Sequence, residues 1–341
     1  MINTSKPKYS ADDFLKKLQD YETKKLIPHR IGALTKIFFD SYVKALQESG
    51  QSVEDSMWLL LDYLDLIKEQ VANPFTFEPY HQMIRTPYDH HLFGIAFFKA
   101  LVDLKKSSVE GLTQLQEIVK HIKDGGNVIL FANHQIEADP QALYVLLEIF
   151  APELIPYLIF VAGERVLTDP LAVPFSLGCN LLCIYSKRYI DHPPEKKAIK
   201  QHHNHKTMQL MKALLAEGGH CIYVAPSGGR DRPDTKGIVK PAVFDPQSIE
   251  MFYLMAKQAA KPTWFYPLTL ATYALLPPPE TIQKELGEHR TTKISPIHAA
   301  FGKKIDMDTF PGSELKDKTL RRKAKADYIY HLVCKAYEQF L

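Results

Sequence analysis

The sequence predicts an α/β protein whose first part is all-helical. Two observations carry the prediction. Up to Pro74 apolar side chains recur only at helical spacing, and beyond it short apolar runs alternate with helical stretches, as strands and helices do in α/β domains. A third, the pairs Gly125-Gly126 and Gly218-Gly219, marks where helices stop ahead of apolar runs. The chain is accordingly divided into an N-terminal helical domain, residues 1–74, and an α/β domain, residues 75–341.

Ser10-Ala-Asp-Asp13 opens the first helix as a variant of the capping box. Leu34, Ile37, Phe38, Tyr42, Ala45 and Leu46 stripe one face of the second, which stops at Gly50. Ser52-Val-Glu-Asp55 is expected to cap a third, striped from Val53 to Val71 and ended by the Asn73-Pro74 step. Strands are expected at 128–132, 157–162, 181–185, 221–225 and 264–268. Helices are expected near 114–123, 140–149, 195–217 and 247–260.

Of the 341 residues 45% are apolar, enough for a large core, and the net charge is only +3. Whole-chain charge thus makes no case for nucleic-acid binding, and any basic site must be local. Cys179, Cys183, Cys221 and Cys334 have apolar flanks and no zinc-site spacing, so they read as reduced, buried thiols, with no metal expected. Residues 1–10 lack the apolar run of a signal peptide and are short for a transit peptide, which favours a bacterial cytoplasmic protein or a processed plastid one. The most apolar stretch, 144–163, is interrupted by Glu148, Pro152, Glu153 and Pro156 and makes a poor membrane span.

The first chemical signal is Asn133-His134-Gln-Ile-Glu-Ala-Asp139-Pro140, placed where a strand ends. Carboxyl ends of strands are where α/β sheets build sites. Asp139 before Pro140 is well placed to cap a helix, which leaves His134 an ordinary loop residue. A loop folded back on itself would instead bring the carboxylate to the imidazole, fixing its tautomer and leaving the other nitrogen as a general base. Such a base deprotonates an alcohol only as the alcohol attacks, which suits acyl transfer from an activated thioester without a metal.

The second signal follows the 221–225 strand: Ser227-Gly228-Gly229-Arg230-Asp231-Arg232. The glycines let backbone amides turn inward, and Arg230 and Arg232, two apart in an extended segment, point to one side as a clamp for phosphate. A solvated turn with surface ion pairs is the plain alternative. A third block, Ser186-Lys187-Arg188-Tyr189, again puts cations after a strand.

The first block resembles the H-x-x-x-x-D motif of glycerolipid acyltransferases, and its neighbours resemble the soluble plastid-type glycerol-3-phosphate acyltransferases, also found in chlamydia-like bacteria. Further stretches match in order across roughly residues 75 to 290: Pro79 to Asp89, Val161 to Gly178, Tyr266-Pro267-Leu268 and Leu276 to Pro279. The resemblance implies a small helical bundle on a larger α/β domain with a mixed central sheet flanked by helices. It implies that His134 and Asp139 are catalytic, that Arg188, Arg230 and Arg232 hold the substrate phosphate, and that Lys187 adds attraction. It implies transfer of an acyl group from acyl carrier protein or coenzyme A, as co-substrate, to the sn-1 hydroxyl of glycerol 3-phosphate, with no cofactor. The chain departs from the family at Arg188-Tyr189, where Lys-His is usual, and at Cys179, where arginine is frequent.

His202, His203 and His205 lie in a basic helix with Lys196, Lys197, Lys200, Lys206 and Lys212. The helix reads as a solvated face, or as a docking surface for an acidic partner such as an acyl carrier protein. His90 and His91 read as structural. The competing functions are acylation of lysophosphatidate and a non-catalytic module that binds a phospho-ligand or acyl carrier protein.

Overall fold

The computed structural model describes residues 8–186, 190–279 and 287–341. It opens with α1 (Ala11–Thr23), α2 (His29–Glu48) and α3 (Met57–Ala72). Next come β1 (Tyr80–His81), α4 (His90–Lys99), β2 (Ser108–Glu110), α5 (Leu112–Lys123), β3 (Asn127–Ala132) and α6 (Asp139–Phe150). They are followed by β4 (Leu158–Gly163), α7 (Glu164–Thr168), α8 (Val173–Ser176), β5 (Asn180–Ile184), α9 (Lys197–Glu217) and β6 (Cys221–Val224). A short pair, β7 (Arg232–Pro233) and β8 (Val239–Lys240), precedes α10 (Pro246–Lys257), β9 (Thr263–Ala271), β10 (His298–Phe301) and α11 (Lys318–Tyr337).

Local chemistry explains most boundaries. Ser10 and Asp13 form the expected reciprocal capping box of α1. The third helix starts later than its sequence cap implies. The Ser52 hydroxyl is used within a turn, accepting from the Asp55 N–H at 3.4 Å, and the helix begins only at Met57. Serine bonding its own local backbone competes with helix in this way. Val53 falls outside the helix but still packs on the core.

Among the described residues eight strands form one mixed sheet in the order β1-β5-β4-β6-β3-β9-β10-β2. The inner five, β5-β4-β6-β3-β9, are parallel, while β1 and β10 run antiparallel to their inner neighbours. All five carboxyl ends therefore lie along one edge. Both faces are covered, so the central strands are apolar on both sides. On β3, Val128, Leu130 and Ala132 enter one core, and Ile129 and Phe131 enter the other. The first core is continuous from Phe14 to Phe301 and takes in α1 to α6. The second lies under α9, α10 and α11.

Candidate active site

Strand β3 ends because a side chain imitates the next peptide. The Asn133 Oδ1 accepts from the Leu270 N–H at 2.8 Å, and its Nδ2 donates to the Leu270 carbonyl at 2.9 Å. The ladder with β9 is thus closed by an amide side chain, and the main chain is free to turn away. The orphaned carbonyls find partners: Tyr223 Oη donates to Asn133 O at 2.7 Å, and the Asp231 N–H donates to His134 O at 2.6 Å. A buried loop needs this complete pairing, because each unpaired polar group there is costly.

Asp139 is the first residue of α6, but its carboxylate caps nothing in that helix. It points back into the loop. Oδ2 accepts from His134 Nδ1 at 2.8 Å and from the Gln135 N–H at 2.8 Å, and Oδ1 accepts from the Thr272 hydroxyl at 2.6 Å. The folded-back alternative thus holds, and the capping one fails. Asp139 is 1% exposed, whereas the His134 side chain is 31% exposed. The imidazole is anchored through Nδ1, which leaves Nε2 to act outward.

Gln135 locks the loop from the other side. Its Oε1 accepts the Thr272 and Tyr273 N–H groups at 2.7 and 3.0 Å, and its Nε2 donates to Asp231 at 3.3 Å and to the Tyr337 hydroxyl at 3.1 Å. Asp231 also accepts from Asn133 Nδ2 and the Ala242 N–H, each at 2.8 Å. Burial pushes the Asp231 carboxyl up to about 6, against the donors that favour its charged form. Asp231 therefore faces inward while its two neighbours do not.

Those neighbours are Arg230 and Arg232, both partly buried beyond the end of β6. Arg230 Nη2 donates to Glu288 Oε1 at 2.5 Å, and Arg232 donates to the Pro279 carbonyl. Burial, and then the adjacent Arg230, lower the pKa of Arg232. Glu288 beside them offsets part of that repulsion, and an anion bound between the two guanidiniums would relieve the rest. Gly228, at φ +64°, supplies the left-handed turn that leads into them. Lys187 and Arg188 lie outside the described residues.

A cavity of about 120 Å³ opens beside His134 and Asp139. Phe38, Phe160, Phe175, Cys179 and Leu276 give it apolar walls, and Arg290 also reaches it. Burial pushes the Cys179 thiol up to about 12, so it is no nucleophile at neutral pH. Arg290, 6% exposed, carries the most extensive ionic contacts of the site. It meets Glu137 through Nε at 2.6 Å and Nη2 at 2.8 Å, and Asp169 through Nη2 at 3.0 Å. Burial raises the Asp169 carboxyl, but Arg290 beside it and the donors around it outweigh that and hold it below its usual range. Removing one partner from such a buried pair costs about 3–5 kcal/mol.

A family profile described as "Acyltransferase" matches residues 106–269. The chloroplastic glycerol-3-phosphate acyltransferase of Arabidopsis thaliana is 32% identical over 335 residues, 96% of this chain and 72% of its own length. That of Carthamus tinctorius is 33% identical over 339 residues, with the same two coverages of 96% and 72%. The chain belongs to the glycerol-3-phosphate acyltransferase family. The chloroplastic enzyme of Spinacia oleracea is 37% identical over 302 residues, 88% of this chain, and the chain spans 64% of that relative's length. Among solved structures, the 1-acyl-sn-glycerophosphate acyltransferase PlsC of Thermotoga maritima aligns with 91% of this chain and 97% of its own, at 17% identity and a TM-score of 0.41.

Within this family chain, the H-x-x-x-x-D residues and the arginine pair sit on neighbouring strand ends, β3 and β6. Sequence reasoning missed Thr272, Asp169, Glu288 and Arg290, which come from distant loops, and Tyr337, the last residue of α11, and gave no role to Asn133, Gln135 or Glu137 inside the motif itself. Their signal was charge and amide content in a segment that had to be buried at a strand end. His90 and His91 are structural, each bonding a backbone carbonyl, Pro174 O at 3.0 Å and Gly178 O at 3.1 Å. In α9 Lys200 leaves the basic face: it is buried against Glu164 at 3.2 Å and the His192 carbonyl at 2.8 Å. His203 likewise turns inward to the Cys183 carbonyl, while His202 and His205 stay exposed. No group of three or more His, Cys, Asp or Glu side chains suited to a metal occurs among the described residues. Among the same residues no helix is long and apolar enough to cross a membrane.

Proposed function

We propose that this chain transfers a fatty acyl group from a thioester to the sn-1 hydroxyl of glycerol 3-phosphate, giving 1-acyl-glycerol 3-phosphate. The observation that carries the reading is the 2.8 Å contact of His134 Nδ1 with the buried Asp139, at the mouth of an apolar cavity and one strand away from the arginine pair.

Arg230 and Arg232, with Arg188 and Lys187, hold the phosphate and so confine the glycerol chain. The cavity takes the start of the acyl chain. His134 Nε2 accepts the hydroxyl proton as the oxygen attacks the thioester carbon. The C–O bond forms, the carbonyl becomes a tetrahedral oxyanion, and its collapse breaks the C–S bond. The departing thiolate takes the proton back from His134, so the base is regenerated. Asp139 keeps the tautomer and stabilises the imidazolium between these events. The reading uses no metal and no cofactor, because the thioester arrives already activated. Acyl carrier protein is the donor partner we favour, since Lys196, Lys197, Lys206 and Lys212 leave exposed cations on and beside α9 for an acidic surface. The protein is read as working in bacterial cytoplasm or plastid stroma.

The test supplies labelled glycerol 3-phosphate with palmitoyl thioesters of acyl carrier protein and of coenzyme A. Lysophosphatidate is the expected product, and its absence with both donors would sink the proposal. The variant Arg232→Gln should raise KM for glycerol 3-phosphate by about tenfold or more with kcat less affected, because a charge-assisted contact to phosphate is worth roughly 1.5–3 kcal/mol.

A further inference from the structure

The catalytic loop and the arginine pair are joined underground by a single guanidinium. Arg290 grips Glu137, which lies within the His134–Asp139 loop, through two bonds at 2.6 and 2.8 Å. Its Nη1 donates to the Glu288 carbonyl at 2.8 Å, and the Glu288 side chain holds Arg230 at 2.5 Å. Asp169 closes the lattice: its Oδ2 accepts from Arg290 Nη2 at 3.0 Å and from the Gly287 and Glu288 N–H groups at 3.1 and 3.3 Å. Glu137, Glu288 and Asp169 come from three separate segments, and a planar fork fixes all three at once.

We propose that Arg290 is a positioning residue that sets the spacing between His134 and the phosphate clamp, and thereby decides which hydroxyl of glycerol 3-phosphate is acylated. The inference rests on the function proposed above. One hydroxyl of that substrate is primary and the other secondary, and the two differ in their distance from the phosphate by one carbon–carbon bond of about 1.5 Å. Selecting between them requires that base and clamp keep their separation to better than that length. A displacement of about 1 Å costs on the order of 100-fold in rate. Loops alone do not hold such a tolerance, and here both parts are loops. The lattice removes their freedom: Arg230 cannot shift without Glu288, nor the catalytic loop without Glu137, and both are tied to one buried guanidinium. Lysine keeps the charge but is a point donor that does not span three partners.

The test is Arg290→Lys, with folding followed by thermal melting. Steady-state constants are measured for glycerol 3-phosphate, and the 1-acyl and 2-acyl lysophosphatidates are separated by NMR after an acid quench that stops acyl migration. The expected result is a fall in kcat/KM of about 100-fold together with a rise in the 2-acyl share of about tenfold or more. A merely structural role would lower the melting temperature and the active fraction but leave the isomer ratio alone. Where Arg290→Lys fails to fold, Glu288→Gln uncouples Arg230 while keeping Arg290 in place, and the same rise in 2-acyl product is expected. A folded variant with the wild-type isomer ratio overturns the inference. Wild-type protein that makes no lysophosphatidate at all removes the underlying function instead, so the two failures are distinguishable.

Discussion

Replacing Asp139 by Asn isolates the charge that the proposed mechanism requires. The side chain keeps its shape, and its remaining oxygen can still accept from His134 Nδ1 and the Gln135 N–H, both now at 2.8 Å. The hydroxyl of Thr272, 2.6 Å from the other oxygen, can rotate to accept from the new amide. What disappears is the attraction between a buried carboxylate and the imidazolium that forms as the hydroxyl attacks. For charge centres about 4 Å apart at an effective dielectric near 20, that attraction is about 4 kcal/mol. Each 1.4 kcal/mol is roughly a decade in rate, so kcat should fall about 1,000-fold. KM for glycerol 3-phosphate should change little, because Asp139 touches neither Arg230 nor Arg232, the proposed phosphate ligands. The assay is steady-state lysophosphatidate formation at pH 7.5, with circular dichroism and a thermal melt alongside. A folded Asp139→Asn protein whose kcat drops less than about tenfold would refute the base-orienting role and return Asp139 to structural duty.

Two further outcomes are expected. Cys179 forms part of the cavity wall, in contact with Gln141 Nε2 at 3.4 Å, so Cys179→Leu should shorten the acyl chain that fits. Each excluded methylene forfeits about 0.8 kcal/mol, roughly fourfold in kcat/KM, and competition between thioesters of graded length reads the shift; an unchanged profile means that the chain lies elsewhere. Asp231, whose carboxyl is raised from 3.8 to about 6, contributes stability that is fully present below about pH 4 and is lost as pH rises through about 6. The change amounts to about 3 kcal/mol, so Asp231→Asn should remove a slope of that size from a plot of unfolding free energy against pH between 4 and 7. A variant with the wild-type slope would show that Asp231 does not titrate there.

Much of the architecture was legible in the chain because it rests on local rules. Apolar periodicity located α1, α2, most of α3, α5, α6, α9, α10 and the five parallel strands but not α4, α7, α8 or α11, and the capping box of α1 is a contact between residues three apart. The Ser52 turn misled because one hydroxyl satisfies either a helix start or a turn, and sequence does not rank them. Strands β2 and β10 are only 3 and 4 residues long, too short for a period to show. Helix α11 shows no clear apolar stripe in the sequence, yet its C-terminal Tyr337 reaches the His134–Asp139 loop through Gln135.

The sequence by itself determined the strand-end position of His134, its spacing to Asp139, and the placing of Arg230 and Arg232 on the side of the segment opposite Asp231. These follow from strand alternation and from the loop that each strand end must have. Tertiary structure alone decided what Asp139 does. As a helix cap or as a partner for His134 it obeys the same local chemistry, and the choice fell to a donor more than 130 residues away, Thr272, together with a loop folded tightly enough to aim the Gln135 amide at the same carboxylate. Tertiary structure also decided that Arg290, Glu288 and Asp169 belong to the site. Their charges are ordinary along the chain and become informative only when burial forces each to find its partner.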